Sequence, residues 1–238
     1  VCKKKHKSKH KKKCERRVAE LHDEKLFRES LPPEECPICM LPLPPSADQV
    51  TFEACCGKDI CNGCIYAMDE INGADDLCAF CRTPYARSDK ESVKRLNKLT
   101  EKGNADAYNQ LAGYYADGEM GLPQDRQKAN DLYLKAGELG CAGAYHNLGN
   151  SYYSGERGVD VDRKKAKHYW ELAAMNGHVA ARYNLGCVEA QAGNPHRATK
   201  HFILAARAGL DEALDTVKLG FRSGIVTKDE YANTLRAY

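Results

Sequence analysis

Eight of the chain's twelve cysteines fall between Cys36 and Cys81. They read Cys36-Pro-Ile-Cys39, then Cys55-Cys56, then Cys61-Asn-Gly-Cys64, then Cys78-Ala-Phe-Cys81. A Cys-x-x-Cys turn brings two thiolates to one Zn²⁺, and a structural zinc takes four such ligands in a tetrahedron. Four ordered pairs therefore supply two complete Zn²⁺ sites with no thiolate left over. Two other chemistries use paired cysteines. A disulfide framework belongs to secreted or lumenal chains, and no apolar signal segment is visible; the sequence opens on a lysine run. A redox Cys-x-x-Cys normally stands as one pair beside a βαβ pattern, not among four pairs in a loop-rich stretch. Zinc is the chemistry this spacing predicts.

The elements that must position these thiolates are short. Pro42, Pro44 and Pro45 mark an irregular loop, Gln49-Val50-Thr51-Phe52 reads as a strand entering Cys55, and Ile65 to Glu70 as a helix leaving Cys64. Asn72-Gly73 is a turn. So small a module has little core, and metal binding supplies much of its folding energy. Upstream, Val18, Leu21, Leu26 and Phe27 suggest a short amphipathic helix ended by Pro32-Pro33, with its apolar side expected against the zinc module. Downstream, Val93, Leu96 and Leu99 are at helical spacing in a charged stretch, which reads as a linker helix.

Residues 36–84 resemble a RING finger, a family with this order of four metal-binding pairs. The resemblance implies a cross-brace, in which Cys36, Cys39, Cys61 and Cys64 hold one Zn²⁺ and Cys55, Cys56, Cys78 and Cys81 the other. Members often carry Cys-Gly-His before the third pair. Here Cys56-Gly57-Lys58 stands instead, and a lysine ammonium has no lone pair to offer a metal. Cys55 then fills the vacancy, as in the all-cysteine RING of Not-four-type ligases, with Asp59 or Asp75 as the second choice. By the same resemblance, Ile38, Met68 and Phe80 fall at positions that dock a ubiquitin-conjugating enzyme, and Arg82 at a donor that bridges the enzyme and its ubiquitin. Ala79 stands where many members have Pro, and Met68 where many have Trp. The alternative for Ile38, Met68 and Phe80 is packing between zinc loops, and for Arg82 a solvated side chain.

From Asn104 the chain repeats itself. Ala107, Ala144 and Ala181 lie 37 residues apart, as do Leu111, Leu148 and Leu185. Ala129 and Ala166, Tyr133 and Trp170, Ala136 and Ala173, and Gly140 and Gly177 keep the interval. The third unit is five residues shorter, and the loss falls in the loop, where Gly193-Asn194-Pro195 replaces a longer segment. A period that shortens only at its loop fits stacked helix–loop–helix units. The pattern Leu148-Gly149-x-x-Tyr152-x-x-Gly155-x-x-Gly158-Val159-x-x-Asp162, then Ala166, Ala173-Ala174 and Gly177, resembles Sel-one-like repeats, relatives of the tetratricopeptide repeat. Gln110, Asn147 and Asn184 share one position on the first helix of successive units, the helix that in such solenoids lines the concave face. A ladder of amides there offers donors and acceptors to an extended peptide, with Tyr108, Tyr145 and Arg182 as selective neighbours. The alternative is that the amides satisfy backbone groups between helices. Tyr115, Tyr152 and Trp170 read as core, Cys141 and Cys187 as buried thiols, and His168, His178, His196 and His201 as surface or satisfied residues.

The expected fold is mostly α: a small α+β cross-brace zinc module followed by a C-terminal α-solenoid. The divisions are a disordered basic tail (1–17), a short helix and linker (18–35), the zinc module (36–84), a linker helix (85–103) and the repeats (104–238). The repeat units are 104–140, 141–177 and 178–209, with a degenerate cap over 210–238. The net charge of +3 conceals an asymmetry: residues 1–17 carry +9 and the remainder −6. The basic run reads as nuclear targeting, an anionic contact or a solubility tail. The acidic body argues against nucleic acid as the partner, and no apolar run approaches a membrane span. There is no phosphate loop, dinucleotide fingerprint or nucleophile elbow, so no small-molecule substrate is expected. The resulting reading is an intracellular ubiquitin ligase, nuclear or cytoplasmic, that recruits a conjugating enzyme through the zinc module and a protein substrate or adaptor through the repeats. A non-catalytic scaffold with structural zinc is the alternative.

Overall fold

The structure is a computed structural model that describes residues 8–28, 34–73, 76–156 and 158–238. Its N-terminal half runs through α1 (Ser8–Leu26), a 3-10 turn (Ala47–Gln49), β1 (Val50–Glu53), β2 (Lys58–Cys61), α2 (Asn62–Asn72) and α3 (Asp89–Glu101). The remainder is helical: α4 (Ala105–Asp117), α5 (Arg126–Glu138), α6 (Ala142–Ser154), α7 (Arg163–Met175), α8 (Val179–Gln191), α9 (Pro195–Arg207), α10 (Asp211–Arg222) and α11 (Lys228–Ala237). The fold is mostly α, a helical solenoid preceded by a small cysteine-rich module with a two-stranded antiparallel sheet.

The first two repeat units set their helices by the same local means, whereas α9 of the third opens on Asn194 without a side-chain cap. The second helix opens on an aspartate that accepts backbone N–H bonds: Asp125 from Lys128 at 2.9 Å, and Asp162 from Lys164 and Lys165 at 3.0 Å. Asn104 and His178 do the same for α4 and α8. The first helices α4 and α6 end on Gly118 and Gly155, both in the left-handed region with φ near 74° and 73°, where a Cβ is costly. The loop then closes with one recurrent bond, Asp125 N–H to the Tyr115 carbonyl and Asp162 N–H to the Tyr152 carbonyl, each 2.8 Å.

The periodic residues form the core. The alanines at 107, 144 and 181, at 129, 166 and 198, and at 136, 173 and 205 are buried, as are Leu111, Leu148 and Leu185. Small residues let the helices close on one another, and a large ring fills what remains. A Cβ on Gly149 would lie 2.3 Å from the Trp170 ring, and one on Gly186 2.5 Å from Phe202. In the first unit Ala112 and Tyr133 pack in the same core cluster. At the C-terminal end α11 returns against α9 and α10, opened by the Thr227–Glu230 capping box.

The N-terminal helix departs from expectation twice. It begins at Ser8 rather than Val18, so the basic stretch from Ser8 to Arg17 is helical; residues 1–7 lie outside the described residues. Lysine and arginine are good helix formers, and the Lys11–Glu15 and Arg16–Glu20 pairs one turn apart offset like-charge repulsion. The apolar end of the helix rests on the solenoid, not on the cysteine module. Leu26 is fully buried in a cluster with Trp170, Ala174 and Leu185, with Phe27 beside it. Val18 and Leu21 stay exposed, so the helix is held only from His22 on, where His22 meets Glu171 at 3.3 Å and Asp23 meets Arg197. The expected stop at Pro32-Pro33 lies outside the described residues.

The cysteine module is anchored through α3 and α4. Arg95 donates to the Pro84 carbonyl at 2.7 Å. Asn104 caps α4 with its amide oxygen and donates to the Gly57 carbonyl at 3.2 Å with its nitrogen. Gly57 has φ near 70°, and a Cβ there would stand 2.8 Å from that nitrogen. No helix among the described residues is long and apolar enough to cross a membrane.

Candidate metal centres and partner surface

Two of the cysteine pairs adopt one turn, made twice. In the first, Met40 N–H bonds to the Cys36 carbonyl at 2.9 Å and Cys36 N–H to the Leu41 carbonyl. In the second, Arg82 N–H bonds to the Cys78 carbonyl at 3.0 Å and Cys78 N–H to the Thr83 carbonyl. Met40 and Arg82, one residue past each pair, both have positive φ (59° and 58°). The other two pairs come from the β1–β2 turn and from the junction of β2 with α2. Val50 pairs with Cys61 and Glu53 with Lys58, so the hairpin carries Cys55 and Cys56 at its turn and delivers Cys61 at its end.

These elements converge on two tetrads: Cys36, Cys39, Cys61 and Cys64, and Cys55, Cys56, Cys78 and Cys81. Within each, the sulfurs lie within 4.8 Å of one another, and none of the eight is in a disulfide. A tetrahedral zinc with Zn–S bonds near 2.3 Å requires sulfurs about 3.8 Å apart. Cys39 and Cys61 stand 3.9 Å apart and Cys55 and Cys81 3.4 Å, so the donor sets fit such an ion. Their electrostatics fit it as well. Burial, then neighbouring thiols, push Cys55 and Cys64 up steeply, and Cys56 to about 12. Desolvation raises Cys36 and the half-buried Cys81 too, but backbone N–H groups at Cys39, Cys61 and Ile38 bring Cys36 to about 6, and the Thr83 hydroxyl and N–H bring Cys81 to about 7. Thiols this crowded ionise together only beside a cation.

The carboxylate near a tetrad is Glu53, which the spacing did not single out. It is buried, takes a 3.4 Å bond from the Tyr85 hydroxyl, and lies 3.8 Å from Cys55 Sγ. Burial raises its pKa. Asp59 joins neither tetrad; burial, then Asp106 and Glu34, push it up to about 6. Asp75 lies outside the described residues. Ile38 packs half-buried against Cys36, Ile60 and Cys78. Met68 is half-buried on α2, while Phe80 and Arg82 are exposed.

On the repeats, Asn147 and Asn184 bond to side chains of the neighbouring unit. Asn147 donates to Asn109 at 3.1 Å, and Asn184 lies 3.3 Å from His146 and 3.4 Å from Asn150. Gln110 is half-buried at the same register on α4. Tyr108 and Tyr145 pack against the core, Tyr145 over Gly137, where a Cβ would meet its ring at 2.5 Å. Arg182 corrects its expected role: it is 2 % exposed and spends its guanidinium on the carbonyls of Leu26 at 2.8 Å and Arg28 at 3.3 Å. Burial lowers its pKa only to about 10, so it remains a cation. His201 is also neither at the surface nor satisfied. It is fully buried against Phe27, with neither ring nitrogen hydrogen-bonded among the described residues.

The helical repeat has a name among known proteins. The Sel1 repeat matches residues 105–141, 142–178 and 179–210. These three units are Sel1 repeats. Two solved structures share the arrangement. A Sel1 repeat protein from Oxalobacter formigenes is 27% identical with a TM-score of 0.53, over 62% of this chain and 64% of that one. A protective antigen present in uropathogenic Escherichia coli strains, displaying an SLR fold, is 30% identical with a TM-score of 0.52, over 61% of this chain and 32% of that one. The chain thus spans less than two thirds of either relative's length. No curated protein matches it. The Sel1 match covers the repeats and leaves the cysteine module to be read from its own residues.

Proposed function

We propose that the cysteine module is a RING-type module holding two Zn²⁺, and that the chain is a ubiquitin ligase whose Sel1 repeats bind a protein substrate or adaptor. The observation that carries the reading is the interleaving of the tetrads: the first pair shares a site with the third, and the second with the fourth. Each Zn²⁺, when bound, supplies a rigid crosslink between loops that have almost no core of their own. The chain contributes no nucleophile. Ile38, Met68 and Phe80 dock a ubiquitin-conjugating enzyme, and Arg82 bridges it to ubiquitin, so the acceleration comes from positioning. The half-burial of Ile38 against the module's own core favours the second reading, a non-catalytic scaffold with structural zinc.

Two measurements test this. Native mass spectrometry of the reduced chain should find two Zn²⁺; one, or none, refutes the paired-site assignment. Discharge of ubiquitin from a panel of loaded conjugating enzymes should be accelerated by the chain. Ile38→Ala should abolish docking with zinc retained, and Arg82→Ala should slow discharge more than it weakens docking. No acceleration by the unmutated chain across the panel would leave the scaffold.

A further inference from the structure

The surface shared by α7, α8 and α9 is built to take the end of a helix, and the chain already shows what fits. The last carbonyls of any α-helix have no partner within it. At the end of α1 one such carbonyl, of Leu26, and two residues past the helix the carbonyl of Arg28, are met by Arg182, a buried cation that no acidic side chain pairs among the described residues. Leu26 enters the apolar cluster around Trp170. Phe27 lies on His201, ring centroids 4.7 Å apart, with the Arg197 guanidinium 5.0 Å from the Phe27 ring. One turn earlier Asp23 pairs with Arg197, whose Nε also reaches Glu189 at 3.3 Å. The ligand features are therefore an acid, then Leu-Phe three and four residues on, then a free helix end.

We propose that this surface is a receptor for helix ends of the form Asp-x-x-Leu-Phe, and that residues 23–28 occupy it in cis, so that a partner helix of the same chemistry binds by displacing them. Two features make the occupant exchangeable. The hold on α1 is confined to its last turns, with Val18 and Leu21 exposed beyond it. The deepest polar contact is to main-chain carbonyls, which any helix end presents. The inference rests on reading the Sel1 repeats as a partner-binding surface, and names the partner.

The test uses the full chain and a labelled peptide of residues 11–28. Leu26→Asp with Phe27→Ser vacates the receptor. The peptide should bind this variant at least tenfold more tightly than the unmutated chain, by fluorescence anisotropy, and adding Arg182→Gln should abolish the gain. A peptide carrying the same Leu26 and Phe27 changes should not bind. Equal binding to vacated and unmutated chains, or none to a vacated chain whose circular dichroism is intact, overturns the proposal. Should the vacated chain not fold, hydrogen exchange of the unmutated chain decides. Residues 11–28 opening before α8 and α9, and opening further with excess peptide, supports the receptor. Joint opening with α8 and α9 makes the segment an inseparable part of the core and refutes it. None of these readouts uses ubiquitin, so a failed discharge assay leaves the receptor standing, and failed peptide binding leaves the ligase assignment standing.

Discussion

At the scale of single residues, two kinds of position set the solenoid's tolerance. Gly149 leaves room for the Trp170 ring, and a methyl group would fall 2.3 Å from it. Gly149→Ala gains helix propensity, but the ring is itself buried and hydrogen-bonded to Asn150 at 3.0 Å, so overpacking wins. A loss of about 1–3 kcal/mol in thermal or denaturant unfolding is expected. The second kind is the buried imidazole. Burial, and for His178 and His201 nearby positive or imidazole groups, lower His146 to about 4 and His178 and His201 to about 3. His201 faces Arg182, Arg197 and Lys167, opposed by Glu189. The unfolded chain takes up these protons near pH 6.5 and the folded chain does not. Stability is therefore full above that pH and is lost as pH falls from about 6.5 towards 3. Thermal melts should show this acid limb, and His201→Leu should flatten it.

At the scale of elements, the joint between module and solenoid is one side chain with two tasks. Asn104 accepts the Ala107 N–H that starts α4 and donates to the Gly57 carbonyl next to the second cysteine pair. Aspartate caps a helix as well as asparagine does but has no N–H to donate and sets a charge against a carbonyl. Asn104→Asp should leave the main melting transition within about 0.5 kcal/mol, while amides of the β1–β2 turn exchange faster. Equal slowing and stability in both proteins would show that the joint is held by Arg95 and the α3 packing alone.

At the scale of the molecule, the two halves depend on different physics. The apolar clusters of the solenoid from α4 to α11 include no member of either cysteine tetrad. The module's buried core is Ile60 with Cys36 and Cys78, too little apolar surface to hold loops together. Removing metal with a strong chelator should therefore unfold the module and spare the repeats. Far-UV circular dichroism should keep most of its helical signal, with a separate low-temperature transition appearing for the module. A single transition shifted as a whole would mean that the halves fold as one unit.

Much of this was legible in the sequence because it follows from spacing. The 37-residue period set the helix pairs, since a solenoid core is a list of positions that recur and a shortened loop does not disturb them. Cys-x-x-Cys turns are local geometry, so the cysteines announced themselves before any fold was known. What spacing does not carry is which distant surface an amphipathic turn will meet. Leu26 and Phe27 are apolar on any reading, but their place on Trp170 and His201, 144 and 174 residues away, was decided by the intervening fold. Arg182 reads from the sequence as a selective neighbour of the amide ladder because it stands two residues before Asn184 on the same helix. It is buried because the carbonyls of Leu26, at the end of α1, and of Arg28, just beyond it, arrive opposite it, a pairing between main chain and side chain that only the tertiary structure brings together.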